Sequence, residues 1–158
     1  MFGINEIIKK GSLCLVALVL FLCFAHEASA AKVTVVNKTS VKVSVALQWW
    51  ADGSVSRGGT KGWFGVKPGK SRTIVWNGID GAAVQVGYMG FYAKGKGLVW
   101  SGDSSELHGS GWIHPKKSFK TENPDQAIPG GQKVNFRWFD INFTDGGARA
   151  VGRIVLRP

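Results

Sequence analysis

Four side chains between Asp103 and His114 have the types to do chemistry. Asp103, Glu106, His108 and His114 place two carboxylates and two imidazoles within twelve residues. Carboxylate oxygens and imidazole nitrogens are ligands for zinc and other divalent ions. The same groups serve as general acids and bases. Their spacing matches no ligand motif: five residues separate the histidines, and Pro115 follows the second at once. The composition of a solvated loop explains the group equally well. For nucleophilic catalysis the sequence offers less. No serine sits in a G-x-S-x-G elbow, and the two cysteines, Cys14 and Cys23, both fall within the first thirty residues. Asp140 and Asp145 flank a strand end where a histidine could pair with one of them, but no spacing demands catalysis. The reading is a protein that is not an enzyme, with no catalytic residue, no metal and no cofactor.

Aromatic and basic residues form the richer pattern. The chain has seven tryptophans, and tryptophan buries more apolar area than any other side chain. Trp63, Trp76 and Trp138 lie within apolar runs and are expected in the core. Trp49, Trp50, Trp100 and Trp112 abut polar or glycine-rich loops and are expected to be partly exposed. Arg57, Lys61, Lys67, Lys70 and Arg72 fall in the same turn region as Trp49 and Trp50. These nine residues make the expected binding set. Exposed rings beside cations suit sugar rings, lipid head groups or single-stranded nucleic acid. A plain solvated surface accounts for the same charges.

Charge and export bound the partners. Lys9 and Lys10 precede an apolar run of thirteen residues, Leu13 to Ala25, and Ala28-Ser29-Ala30 follows. That is the three-part pattern of a secretory signal, with cleavage expected after Ala30. Thirteen apolar residues are short of the ~20 that a spanning helix needs, and no later run is longer. The expected organisation is a signal peptide over 1–30 and one domain over 31–158, exported to the periplasm or the exterior. Acids and bases cancel within 1–30, so the formal charge of +10 belongs to the remainder. Such a field attracts anionic partners: an anionic polymer, a glycan, a lipid head group or an acidic exported protein. Without cysteine, the domain depends on packing.

The elements that must position these residues read as strands. Val41, Val43, Val45 and Leu47 alternate with Lys42, Ser44, Ala46 and Gln48, the period of a half-buried antiparallel strand. Trp49 and Trp50 then point to opposite faces. Lys67-Pro68-Gly69-Lys70 has the residues of a type II turn. Gly87 and Gly90 inside the run 82–93 mark a bulge or a close backbone approach. Residues 103–131 form the least regular region, with room for a short strand near 118–120. Lys133 to Phe143 reads as one strand whose parity shifts near Asp140, as a bulge there would cause. Arg149, Arg153 and Arg157 fall on one face of a final strand. Eight or nine short strands with no helical period predict an all-β domain, an antiparallel sandwich or a partly open barrel.

Several of these pieces occur in a distinctive order: Asn37-Lys38-Thr39, Val43-Ser44-Val45-Ala46, Gly62-Trp63-Phe64, Pro68-Gly69, Phe91-Tyr92-Ala93 and Trp100-Ser101-Gly102. In that order they resemble a family of small exported bacterial β-domains of uncharacterised function, over about residues 33 to 102. The resemblance implies an exported β-domain and no particular activity. Relatives often have a cysteine before the N-x-T and another after the P-G turn, where this chain has Val36 and Ser71. A disulfide that would staple relatives is therefore missing. Three function classes follow: first a noncatalytic binding domain for an anionic or glycan-type partner; then a cell-envelope protein that binds another protein; then an enzyme of unknown type.

Overall fold

The computed structural model describes residues 30–51, 58–77, 86–103, 109–144 and 149–158. They form twelve strands: β1 Ala30–Asn37, β2 Val43–Ala51, β3 Gly58–Val66, β4 Ser71–Asn77, β5 Val86–Gly95, β6 Leu98–Trp100, β7 Ser110–Ile113, β8 Phe119–Thr121, β9 Gln132–Asn135, β10 Arg137–Trp138, β11 Ile141–Thr144 and β12 Arg149–Leu156. No helix occurs among them. The all-β prediction holds: open sheets are packed face to face.

The first sheet has the order β11-β12-β1-β4, the second β10-β5-β2-β3-β8 with β6 also on β5, and β7-β9 form a third, two-stranded sheet. Pairing is antiparallel except between β1 and β12, which run parallel with Val33 opposite Gly152. The alternation read in β2 gives the main core its second-sheet wall. Val43, Val45 and Leu47 pack on Val33 and Val35 of β1 and on Ile154 and Leu156 of β12, all buried. This aliphatic interior is the main hydrophobic stabilisation of the fold.

A smaller layer covers the opposite face of the second sheet. Ala46, Ile113 and Phe136 are buried there, with Trp63, Tyr92 and Phe119 packed against them. The sequence does not announce this layer, and its presence corrects the tryptophan assignments. Trp49 and Trp50 do point to opposite faces, yet each is only 2% exposed: one faces the main core, the other lies on the covered face. Trp63 and Trp138, expected in the core, are only half-buried. Of Trp76 only the backbone is described.

Side chains stitch the third sheet down. Gln48 Nε2 donates to the Ser110 carbonyl at 2.9 Å, Thr60 Oγ1 to the Trp112 carbonyl at 3.0 Å, and Trp63 Nε1 to the His114 carbonyl at 2.8 Å. Carbonyls of alternate residues point the same way along an extended strand, so one edge of β7 and the residue after it, His114, supply the whole series. The approach is close. A Cβ at Gly111 would lie 2.9 Å from Gln48 Nε2 and 3.2 Å from Phe136 Cε2.

Two irregularities aim these donors. Val45 pairs with Phe64 but Leu47 with Lys61, so Gly62 and Trp63 together oppose Ala46. This bulge lets Trp63 and Thr60, an odd number of residues apart, share the covered face. In β5 the register skips at Gly87, where Trp50 faces Tyr88 and Ala51 faces Val86. Gly90 is instead a close approach, its missing Cβ 3.0 Å from Phe136 Cβ.

The run from Lys133 to Phe143 is not one strand. It is threaded through all three sheets as β9, β10 and β11. The parity shift at Asp140 marks the crossing from the second sheet to the first. A change of sheet resets which face is inward, and no bulge is needed.

Candidate anion-binding end

At one end of the sandwich, six adjacent strand ends each carry a cation. In the second sheet β5, β2 and β3 are neighbours. Lys96 follows β5, Lys42 precedes β2 and Lys67 follows β3. In the first sheet β12, β1 and β4 are neighbours. Arg157 follows β12, Lys38 follows β1, and Lys70 and Arg72 stand at the start of β4. All seven side chains belong to exposed residues. Strands lie ~4.8 Å apart within a sheet and sheets ~10 Å apart. The cations therefore start from two rows of three strand ends, roughly 10 Å long and 10 Å apart.

The turns that carry them are fixed from inside by Asn37, which is fully buried. Its Nδ2 donates to the carbonyls of Val41 at 2.8 Å, Val66 at 3.1 Å and Lys67 at 3.2 Å. Its Oδ1 accepts the backbone N–H of Thr39 at 2.9 Å and the Thr39 hydroxyl at 2.8 Å. The Asn37 N–H donates to the Lys70 carbonyl and the Lys38 N–H to the Leu156 carbonyl. One amide thus ties the β1–β2 turn to the β3–β4 turn, and its neighbour adds the end of β12. The β3–β4 turn is type II as expected. Lys70 N–H donates to the Lys67 carbonyl, and Gly69 has φ 64°, which a side chain would strain. Gly97, at φ 74°, closes the two-residue turn between β5 and β6.

Two cations have local contacts. Arg72 Nη1 donates to the Gly65 carbonyl at 3.1 Å, and its guanidinium lies 5.5 Å from the Phe64 ring centre. A Cβ at Gly65 would come 3.1 Å from Lys42 Cε. Trp100 Nε1 donates to the Arg157 carbonyl at 3.1 Å. No acid falls within 37–43, 66–72, 94–98 or 156–158. Three of the described acids fall away from this end. Glu122 and Asp125 follow Thr121, which pairs with Thr60, six residues up β3 from Val66. Asp140 follows Phe139, whose N–H bonds the Met89 carbonyl, six residues back along β5 from Gly95. Six residues of strand span roughly 20 Å.

The expected binding set divides. Lys67, Lys70 and Arg72 come together here, with Trp100 half-buried at the margin. Trp49 and Trp50 do not join them, because both are buried in packed layers. Trp112 is half-buried in β7, on the far side of the second sheet. Lys61 is half-buried in β3, opposite Leu47 and Lys120. Arg57 lies outside the described residues. Sequence reading missed Lys38, Lys42, Lys96 and Arg157. Their shared signal is position: each adjoins a strand end at a turn or at the end of β12.

Of the candidate metal ligands, Glu106 and His108 lie outside the described residues. Asp103 is exposed. His114 Nδ1 accepts the backbone N–H groups of Lys116 at 3.2 Å and Lys117 at 2.9 Å. An acceptor at Nδ1 leaves the proton of the neutral ring on Nε2, the nitrogen a metal would otherwise take. Among the described residues no three His, Cys, Asp or Glu gather as a metal site. No helix among them is long and apolar enough to cross a membrane.

Comparison with protein-family models, curated proteins and solved structures found no match to this chain.

Proposed function

We propose that the chain is an exported, noncatalytic binding domain that holds an anionic partner at the basic end. One observation carries the reading: seven exposed cations on two rows of adjacent strand ends, with no acid among them. Residues 1–30 serve as its export signal. The anchored turns favour binding, because a preformed site loses less conformational entropy when occupied.

Retention on a heparin column tests this. The wild-type protein is expected to bind at low salt and to elute as salt shortens the reach of charge. The triple variant Lys42→Gln/Lys67→Gln/Lys96→Gln should elute much earlier. Lys120→Gln/Lys133→Gln, exposed elsewhere, should elute close to wild type. No retention at low salt would sink the reading.

A second reading is a cell-envelope protein that binds another protein, and the outer face of the first sheet supports it. Val75, Val151 and Val155 are 50%, 40% and 38% exposed there. Val75 and Val151 both face Lys32 across β1. One stoichiometric partner, recovered with the exported protein and lost on Val75→Ser/Val151→Ser, would favour it.

We also propose kinship with the small exported bacterial β-domains. Val36 and Ser71, where relatives carry cysteines, face each other directly across β1 and β4.

A further inference from the structure

We propose that the occupant of the basic end is the surface of an anionic lipid bilayer, on which the domain stands with its strands steeply inclined. This rests on the anionic-partner reading above and names the partner class.

Four observations favour a lipid surface over a polymer chain. The first is shape. Two rows about 10 Å apart and about 10 Å long make a block as wide as it is long, whereas a polymer's charges are followed along a stripe. The second is the kind of cation. Five of the seven are lysines, which act as hydrated point charges without the planar fork that reads one phosphate or sulfate. Arg72 has already spent part of its fork on the Gly65 carbonyl.

The third is the lack of a stacking platform. Bases bound to single-strand proteins stack on exposed rings. At this end Phe64 is half-buried near the Arg72 guanidinium, and Trp100 is half-buried with its N–H bonded. The well-exposed ring among the described residues is Tyr88, at 61%. It lies opposite Trp50, toward the other end of the sheet. The fourth is the apolar tips among the cations. Pro68 is exposed at the corner of its turn, and Val99, 63% exposed, follows the Lys96–Gly97 turn by two residues. Cations with a few apolar tips suit the head-group layer. The described acids Glu122, Asp125 and Asp140 lie away from this end, so they do not offset the field of its cations, which draws this end toward an anionic surface.

Co-sedimentation of the exported protein, as the cell processes it, with vesicles of two compositions provides the test. Vesicles mixing phosphatidylglycerol with phosphatidylcholine should bind it at low salt and release it when the Debye length falls to about 3 Å. Vesicles of phosphatidylcholine alone should not bind. Lys42→Gln/Lys67→Gln should weaken binding to the mixed vesicles roughly 25-fold, about fivefold for each lysine. Lys120→Gln/Lys133→Gln should leave it near wild type, and unchanged thermal melting would show each variant folded. Equal binding to both vesicle types overturns the proposal, as does equal weakening by both lysine pairs. If heparin or a single-stranded oligonucleotide is held and the mixed vesicles are not, the membrane assignment fails while the anionic reading stands. If no anionic probe is held, both fall.

Discussion

The basic end and the β7–β9 layer are built from similar sequence, rich in glycine, lysine and proline between short strands, yet they use it in opposite ways. Over the second sheet, polar side chains point inward and are consumed by backbone carbonyls. Gln48, Thr60 and Trp63 bond the carbonyls of Ser110, Trp112 and His114. Even Lys94 is drawn in, its Nζ 2.8 Å from the Pro115 carbonyl and 4.5 Å from the Trp63 ring centre. At the basic end the inward bonding is delegated to Asn37 and Thr39, which leaves the lysines for solvent. A cation or an aromatic in a loop therefore signals a binding surface only when some other group satisfies the backbone beneath it.

The largest expected effect comes from removing that other group. Asn37→Ala removes a donor from the carbonyls of Val41, Val66 and Lys67 and the acceptor of the Thr39 N–H in an inward-facing site; the Val41 carbonyl keeps the Thr39 hydroxyl at 3.0 Å. Each buried group left unsatisfied costs about 1–3 kcal/mol, offset where water enters. A loss of about 4 kcal/mol is expected by chemical denaturation. A loss below about 1 kcal/mol would show that the turns hold without it.

The next prediction sharpens the same end in the opposite direction. Asn37 donates to Lys70 as a hydrogen-bonded pair. The adjacent pair Val36–Ser71 is then the non-hydrogen-bonded kind, with Cα atoms ~4.5 Å apart, within the range a disulfide accepts. Val36→Cys/Ser71→Cys should oxidise without rearrangement. By loop-closure entropy it should raise stability by up to about 4 kcal/mol over its reduced form. Thiol titration and denaturation with and without reductant measure it; persistent free thiols would show that the register differs.

The smallest of the three effects tests the other region. Thr60→Val keeps shape but removes the hydroxyl shared by the Trp112 carbonyl and Thr121 Oγ1. A cost of about 1–2 kcal/mol is expected, together with faster amide exchange across β7 and β9 and unchanged heparin retention. Altered retention would mean that the two regions are coupled.

Much of the fold was legible because it rests on local rules. The period-2 run of β2, the Pro68–Gly69 turn and the glycines of β5 each state their geometry in a few residues. The third layer was not legible. The strand β7 has only four residues, and what holds it is a set of side-chain bonds from Gln48, Thr60 and Trp63, remote in sequence. For that reason Trp50 read as a surface residue and is instead covered. The site was half legible. Lys67, Lys70 and Arg72 are neighbours in the chain, but Lys38, Lys96 and Arg157 join them only through strand order. A cation beside each turn is visible in the sequence; which turns share an end is decided by long-range pairing.

That pairing also sets a timetable for the growing chain. The strand β1 sits at the centre of the first sheet, yet its parallel neighbour β12 follows every other strand. Lys32 meets Val151, 119 residues later. At synthesis rates of about 5–20 residues per second, the interval is roughly 6–24 s. β4 can pair sooner, but the wall facing Val43 and Leu47 lacks Ile154 and Leu156 until β12 is made. During this wait the Val33–Val35 stripe has only part of its cover. The sandwich therefore closes late, only after the 119 residues from Lys32 to Val151 have been made.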